Sequence, residues 1–336
     1  MIKVGFIGAG GIAGVHFEAL QNIEGVQVTA VADPVLARAQ AMAEQSGGKA
    51  FTDYHDFLAD VDAVYINTPP SMHREQVAAA AKAGKHIFCE KPLTTTLDDA
   101  RELVKAVQNA NIFMMTAFVF RFQRAYHFMK EFVTSGQLGD TVSYYCHRVG
   151  LRVARPNHWA TDPKLLCGMT IQSFSHEGDI LCWLLDTEPV AIHATVSYRE
   201  GLPGFDEHML ATMKLANGAL ANFVLSWSSQ LESSQRAIVG TLGAVTAEGL
   251  DMWHVNRMLW RENASPGDRE LILPAETAYD RGFVEENRYF IESIRRGRKS
   301  ACTAEDGLRA LQISTAILLS AQQGRTVTME EVRNLA

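Results

Sequence analysis

The chain has 336 residues, of which 47% are hydrophobic and 21% charged, a globular composition that excludes a disordered, collagen-like or coiled-coil chain. At roughly 100–200 residues per domain, that length suits two domains, each with its own core. Against 38 acidic residues stand 31 Lys and Arg, a formal charge of −7. The densest basic run is only Arg295, Arg296, Arg298 and Lys299, so the clustered cations of a nucleic-acid binder are missing.

The first third alternates short apolar runs with helical patterns. Strands are expected at 2–7, 26–32, 50–51, 63–67, 86–89 and 112–116, the first nearly continuous in apolar residues, as a strand buried on both faces would be. Between them, a glycine-rich turn at 8–14 opens a helix reaching about 22. Further helices are expected at 34–46, ended by Gly47-Gly48, at 53–58 with Asp53 as N-cap, at 71–83 with Ser71 as N-cap, and at 97–110 with Thr96 as N-cap. Repeated β–helix–β units imply a doubly wound parallel sheet, the Rossmann arrangement.

The pattern changes near residue 118. A helix at 124–135 precedes strand-like runs at 141–148, 190–198, 207–215, 219–227, 237–241, 244–248, 254–260 and 270–273. Asn217-Gly218 and Leu242-Gly243 separate pairs of these runs as hairpin turns would, which favours a large, mostly antiparallel open sheet in an α+β domain. One helix, 171–185, interrupts this region, and helices at 283–296 and 304–323 close it. The expected division is 1–118 for dinucleotide binding and 119–336 for substrate binding and oligomerisation, with the last helix packing back on the first domain.

The five cysteines are scattered and form no C-x-x-C pair, which fits reduced thiols in a cytoplasmic protein better than disulfides or structural zinc. No metal-binding spacing such as H-E-x-x-H occurs among the eleven histidines. No apolar run is long enough for a membrane span. Residues 4–15 imitate a short signal peptide, but five glycines interrupt them, so the segment is expected to be structural.

Gly8-Ala9-Gly10-Gly11-Ile12-Ala13 fits G-x-G-x-x-[GA] between a strand and a helix. Gly8 permits the tight turn, Gly10 lets backbone approach a pyrophosphate, and Ala13 packs helix on strand. The N–H groups at Gly11 and Ile12 would face the phosphates. Asp33 ends the second strand, where a carboxylate accepts hydrogen bonds from ribose hydroxyls and repels a 2′-phosphate. That favours NAD over NADP, although Arg38, a helical turn further on, could offset the repulsion. Asn67-Thr68-Pro69-Pro70-Ser71-Met72-His73 leaves the fourth strand as a stiff loop, and Thr68, Pro69 and His73 are candidates for cofactor contact. Cys89-Glu90-Lys91-Pro92 leaves the fifth, where Glu90 and Lys91 would face the nicotinamide half.

Together the G-x-G-x-x-A turn, the T-P-x-x-x-H run and Glu90-Lys91-Pro92 resemble the Gfo/Idh/MocA oxidoreductases. Arg121-Phe122, Trp159, Asp162, Gly168, Ser175-His176 with Asp179, and the helix opened by Thr303-Ala304-Glu305-Asp306-Gly307 extend the resemblance over essentially the whole chain. It implies a Rossmann domain, a C-terminal domain whose sheet mediates homodimers or homotetramers, and NAD(P)-dependent oxidation of a sugar or polyol hydroxyl, or the reverse. It also implies that Lys91 and His176 belong to the active site. Many members carry aspartate where Gln172 stands, which bears on the basicity of His176.

At helical spacing Gln172, His176, Asp179 and Trp183 share one face. The expected chemistry is reversible hydride transfer between nicotinamide C4 and a secondary alcohol carbon. Lys91 would orient the hydroxyl and lower its pKa, and His176 would accept the proton. Arg121, Trp159, Gln172 and Asp179 are candidate pocket residues, Arg121 able to fork onto a carboxylate. The expected partner is a small carbohydrate or polyol, with neither nucleic acid nor membrane involved. Two alternatives stand beside this: an NAD-dependent glycosidase with no net redox change, and a non-catalytic NAD-binding sensor, which would be expected to have lost Lys91 or His176.

Overall fold

A computed structural model describes the chain apart from residues 153–164, 166, 203, 264, 273–280 and 336. Contacts divide it into two units, one of Met1–Val119 with Gly282–Leu311, the other of Phe120–Arg281 with Gln312–Ala336.

In the first unit, strands β1 (Ile2–Ile7), β2 (Val26–Ala32), β3 (Lys49–Phe51), β4 (Ala63–Ile66), β5 (His86–Cys89) and β6 (Met114–Thr116) form one sheet in the order β3-β2-β1-β4-β5-β6. Every neighbouring pair is parallel. Val4, Phe6, Val31, Val64, Ile66 and Ile87 are fully or almost fully buried, which is why these runs are mostly apolar. The order reverses between β1 and β4, and ligands of such sheets bind outside the strand ends at that switch point. The residues leaving β1 and β4 there are Gly8 and Asn67.

Helices α1 (Gly11–Leu20), α2 (Leu36–Ser46), α3 (His73–Lys82) and α4 (Leu97–Gln108) connect the strands, and a late helix, Phe283–Arg296, packs against α1. Tyr65 lies stacked between Phe6 and Phe88, with centroids 5.0 and 4.6 Å away, and Phe290 of the late helix meets Tyr65 and Phe88 edge-on. Thr96 caps α4 as expected, its hydroxyl accepting from Asp99 N–H. Ser71 does not cap α3. Pro70 opens a short 3₁₀ turn over Pro70–Met72, and the helix proper starts at His73 without a side-chain cap. The expected helix at 53–58 is two 3₁₀ turns, the first capped by Asp53.

In the second unit, strands β7 (Thr141–Leu151), β8 (Pro189–Tyr198), β9 (Asp206–Leu215), β10 (Leu220–Ser226), β11 (Ser228–Gly240), β12 (Gly243–Gly249), β13 (Arg257–Glu262), β14 (Ser265–Ile272) and β15 (Val327–Thr328) form a nine-stranded sheet, β14-β13-β12-β11-β7-β10-β9-β8-β15. β7 and β10 run parallel, and the other neighbours are antiparallel. Helices α5 (Arg124–Thr134), α6 (Met169–Gln172) and α7 (Phe174–Leu185) belong to this unit. Phe174 of α7 meets Phe223 of β10 edge-on, at 5.1 Å. Along β9, Met209, Ala211, Met213 and Leu215 are buried while Leu210 between them is 58% exposed, the alternation of a sheet with one covered face.

The helix expected at 171–185 is broken at Ser173. Ser173, the N-cap of α7, accepts from the Arg148 guanidinium on both its carbonyl and its hydroxyl, and Gln172 ends α6 instead of belonging to α7. The strand expected at 237–241 reaches back to Ser228, and Val327–Thr328 with a closing helix, Met329–Arg333, were not anticipated.

Candidate active site

The glycine turn leaves β1 at the switch point. Gly8 has φ +92°, and a Cβ there would lie 3.1 Å from the backbone of Asn67, so a side chain is excluded by both conformation and space. A Cβ on Gly10 or Gly11 would meet nothing within 4 Å. The N-terminus of α1, which follows Gly10, has no side-chain cap. Open space above uncapped N–H groups is what a dinucleotide pyrophosphate requires, so the turn fits that group.

Asp33, buried at the end of β2, accepts Ala9 N–H at 3.0 Å on one carboxylate oxygen and Val35 N–H at 2.9 Å on the other. Each oxygen keeps a second lone pair, so ribose hydroxyls remain acceptable partners. Arg38 is exposed on α2.

Beyond β4, the Thr68 hydroxyl donates to the Gln76 side-chain carbonyl, and Pro69 and Pro70 lead into α3. His73 is fully buried, with Nε2 2.9 Å from the Thr68 carbonyl and Nδ1 3.0 Å from the Leu93 carbonyl. Burial holds this imidazole below its ordinary pKa against the opposing pull of the carbonyls around it. The histidine thus ties the loop after β4 to the loop after β5.

Beyond β5, Lys91 is half-buried while Glu90 is buried. Both Glu90 oxygens are engaged: Oε1 lies 2.9 Å from His16 Nε2, and Oε2 accepts Lys91 N–H at 3.0 Å. Burial raises the pKa of this carboxyl, but the His16 bond and the charge of Lys91 outweigh it and hold the group below its ordinary range. His16 was not among the expected site residues. Its one signal in the sequence is a histidine sharing the apolar stripe of α1 with Ala13 and Leu20.

In the second unit, His176 stands on α7, 4% exposed, and stacks on Phe120 at 4.5 Å. Asp179, one turn on, takes the Arg121 guanidinium through Nε at 2.8 Å and through a second, shorter bond from an Arg121 terminal nitrogen. Two expected pocket residues therefore hold each other.

Between His176 and Asp179 in sequence comes Glu177, also unanticipated and fully buried. It is paired with Arg148 at 2.8 Å and with Arg236 through two bonds, one of them Nε to Oε2 at 2.9 Å. Burial raises its pKa, but the two guanidinia outweigh that and hold the carboxyl below its ordinary range. Arg236 also lies over the Phe120 ring, 5.3 Å from its centroid, so this charge cluster and His176 touch the same aromatic ring.

Gly168 is required where it stands, because a Cβ there would lie 1.8 Å from Asp206 Oδ1. The same carboxylate takes the Thr170 N–H and hydroxyl at 2.8 and 2.6 Å and so fixes α6, which carries Gln172. Trp159 and Asp162 lie outside the described residues. Among the described residues no group of three or more His, Cys, Asp or Glu is placed to hold a metal, and no helix is long and apolar enough to cross a membrane.

Comparison with known proteins gives this geometry its context. Residues 2–118 match the model "Oxidoreductase family, NAD-binding Rossmann fold", and residues 126–246 match the "GFO/IDH/MocA C-terminal domain". The chain is 29% identical to myo-inositol 2-dehydrogenase of Thermotoga maritima, over 98% of this chain and 99% of that protein. It is 28% identical to 1,5-anhydro-D-fructose reductase of Ensifer adhaerens, again over 98% and 99%. Among solved structures, a probable dehydrogenase from Thermotoga maritima superposes with a TM-score of 0.84 at 27% identity, covering 98% of this chain and all of that one. With family matches in both halves and a glycine turn shaped for a pyrophosphate, the chain belongs to the Gfo/Idh/MocA family of oxidoreductases, and its N-terminal sheet is an NAD-binding Rossmann domain.

Proposed function

We propose that this protein is an NAD-dependent dehydrogenase of a sugar, inositol or related polyol, with Lys91 and His176 handling the proton of the substrate hydroxyl. The observation that carries the reading is the position of Lys91, a half-buried cation at the carboxyl end of β5 in an NAD-binding sheet. When bound, NAD supplies the nicotinamide ring that exchanges a hydride with the alcohol carbon. An ammonium beside the hydroxyl lowers its pKa and stabilises alkoxide character as the C–H bond breaks. The imidazole of His176 is the residue type that most readily accepts a proton at neutral pH. Asp33 reads the ribose hydroxyls and gives the preference for NAD over NADP. Gly8, Gly10, Gly11 and Ile12 accommodate the pyrophosphate.

The relatives' names support the substrate class: one is a myo-inositol 2-dehydrogenase and another a 1,5-anhydro-D-fructose reductase. Residues 119–336 form the substrate and oligomerisation part in this reading. The exposed leucines Leu210 and Leu220, on adjacent strands of the large sheet, support burial of that face against a second copy in a homodimer or homotetramer. The five cysteines are buried and form no disulfide, which agrees with a cytoplasmic setting.

The test is an NAD-reduction screen over sugars, inositols, sugar acids and polyols, followed by product identification. NADH accumulation with a ketone product is expected. Glycoside cleavage without net NADH would replace this reading with the glycosidase one, and NAD binding without turnover on any panel member would favour a sensor.

A further inference from the structure

The first unit buries a chain of polar contacts behind Lys91 for which the chemistry proposed above has no use. His16 is fully buried and ringed by Tyr65, Phe88 and Phe283, with centroids 5.8, 4.9 and 5.5 Å from its own. Asn287 Nδ2 is 2.9 Å from His16 Nδ1 and 2.8 Å from the Phe283 carbonyl. A carbonyl accepts only from a donor, so the Phe283 contact fixes the amide with its NH₂ toward His16. Nδ1 is then the acceptor, and the proton of the neutral ring sits on Nε2, aimed at Glu90 Oε1. The second Glu90 oxygen accepts the backbone N–H of Lys91.

We infer that His16, oriented by Asn287, is a positioning residue for Lys91: its Nε2–H fixes the Glu90 carboxylate, which holds the Lys91 backbone and keeps an anion beside the Lys91 ammonium. This rests on the assignment of Lys91 proposed above. Without a donor, a buried carboxylate takes up a proton more readily. The other ionisable groups coupled to Glu90 are His73, Cys89 and Glu286. None of them replaces the His16 donor. His73 is occupied by carbonyls, Cys89 is fully buried with its thiol directed at a carbonyl, and Glu286 is a fully buried carboxyl whose two oxygens have no hydrogen-bond partner among the described residues.

The test reads Lys91 independently of any substrate. Acetic anhydride labelling of the holoenzyme across a pH series, with the Lys91 peptide quantified by mass spectrometry, gives the apparent pKa of that amine. His16→Leu is expected to move the midpoint to lower pH, and His16→Gln, whose amide can donate to Glu90, to move it back toward wild type. In a Glu90→Gln background, His16→Leu is expected to add no further shift, because the effect passes through the carboxylate. On a substrate from the screen, His16→Leu should lower kcat by about tenfold to a hundredfold, the scale of a misplaced reacting group, with NAD affinity unchanged. An unmoved midpoint in His16→Leu, or an equal shift in His16→Gln, overturns the proposal. Should His16→Leu fail to fold, Asn287→Leu decides by the same labelling, with a shift in the same direction expected and an unmoved midpoint overturning it. A labelling shift together with full turnover in Lys91→Ala would sink the catalytic reading of Lys91 and leave the relay intact.

Discussion

Arg121 grips Asp179 with two bonds from one guanidinium edge, and both side chains are almost fully buried. This pair turns a cation that could have forked onto a substrate carboxylate toward α7 instead, so it fixes the helix that carries His176. Removing either partner strands a buried charge. Arg121→Ala is expected to destabilise the protein by about 3–5 kcal/mol, and the apolar pair Arg121→Met with Asp179→Leu to recover most of that loss. Chemical denaturation of wild type and these two variants checks this; equal losses in the single and double variants would contradict it.

Lys91→Ala is expected to lower kcat by about a hundredfold or more, the scale of a positioned acid–base group, while NAD affinity stays near wild type. Steady-state kinetics and NADH fluorescence titration separate the two quantities. Wild-type turnover on an identified substrate would remove Lys91 from the mechanism.

Gly10→Ala separates fold from cofactor. Beyond its chain neighbours the added methyl group meets no atom of the described residues within 4 Å, and stability should change by no more than about 0.5 kcal/mol. The space it fills is that assigned to the pyrophosphate, so NAD affinity should fall by about tenfold or more, about 1.4 kcal/mol or above. Calorimetric titration of the variant measures the loss directly.

Glu177 predicts acid sensitivity. Its folded pKa lies below the ordinary 4.5, so its contribution is complete above that value and disappears as pH falls through the folded pKa. Glu177→Gln should be less stable than wild type at neutral pH, because Arg148 and Arg236 lose their carboxylate. Its melting temperature should also decline less on acidification. Parallel decline of both proteins would argue against this role.

Glu286 predicts the opposite limb. Burial, with the charge of Glu90, pushes its carboxyl well above 4.5. The unfolded chain ionises first, so the stability associated with this group is complete below 4.5 and is lost as pH rises toward the folded pKa. Glu286→Gln, which mimics the protonated acid, should flatten the alkaline decline in melting temperature and leave kcat unchanged.

The parallel sheet was legible because strands buried on both faces are mostly apolar, and the runs ending at Ile7, Ala32, Ile66 and Cys89 are. The front half of β11 was not, because Ser228-Ser229-Gln230-Leu231-Glu232-Ser233-Ser234-Gln235 has neither alternation nor apolar content. It is a strand because β7 offers a ladder to it, pairing Val149 with Ser233 and Arg148 with Ser234. The glycine turn and Lys91 could be placed from sequence because a turn after a strand has fixed local geometry. Glu177, Arg236 and His16 could not, because a buried charge or histidine looks like a surface one until its partner, 59 or 74 residues away, is known. The break at Ser173 escaped as well, because Arg148, which holds the Ser173 hydroxyl and carbonyl, comes from a distant strand.

Asp33 clasps Ala9 and Val35, so the residue assigned to discriminate between cofactors also braces the loop that cradles them. Retooling the enzyme for a phosphorylated dinucleotide by exchanging this aspartate alone would loosen the cradle it was meant to relabel. A useful redesign must first give those two amides another acceptor.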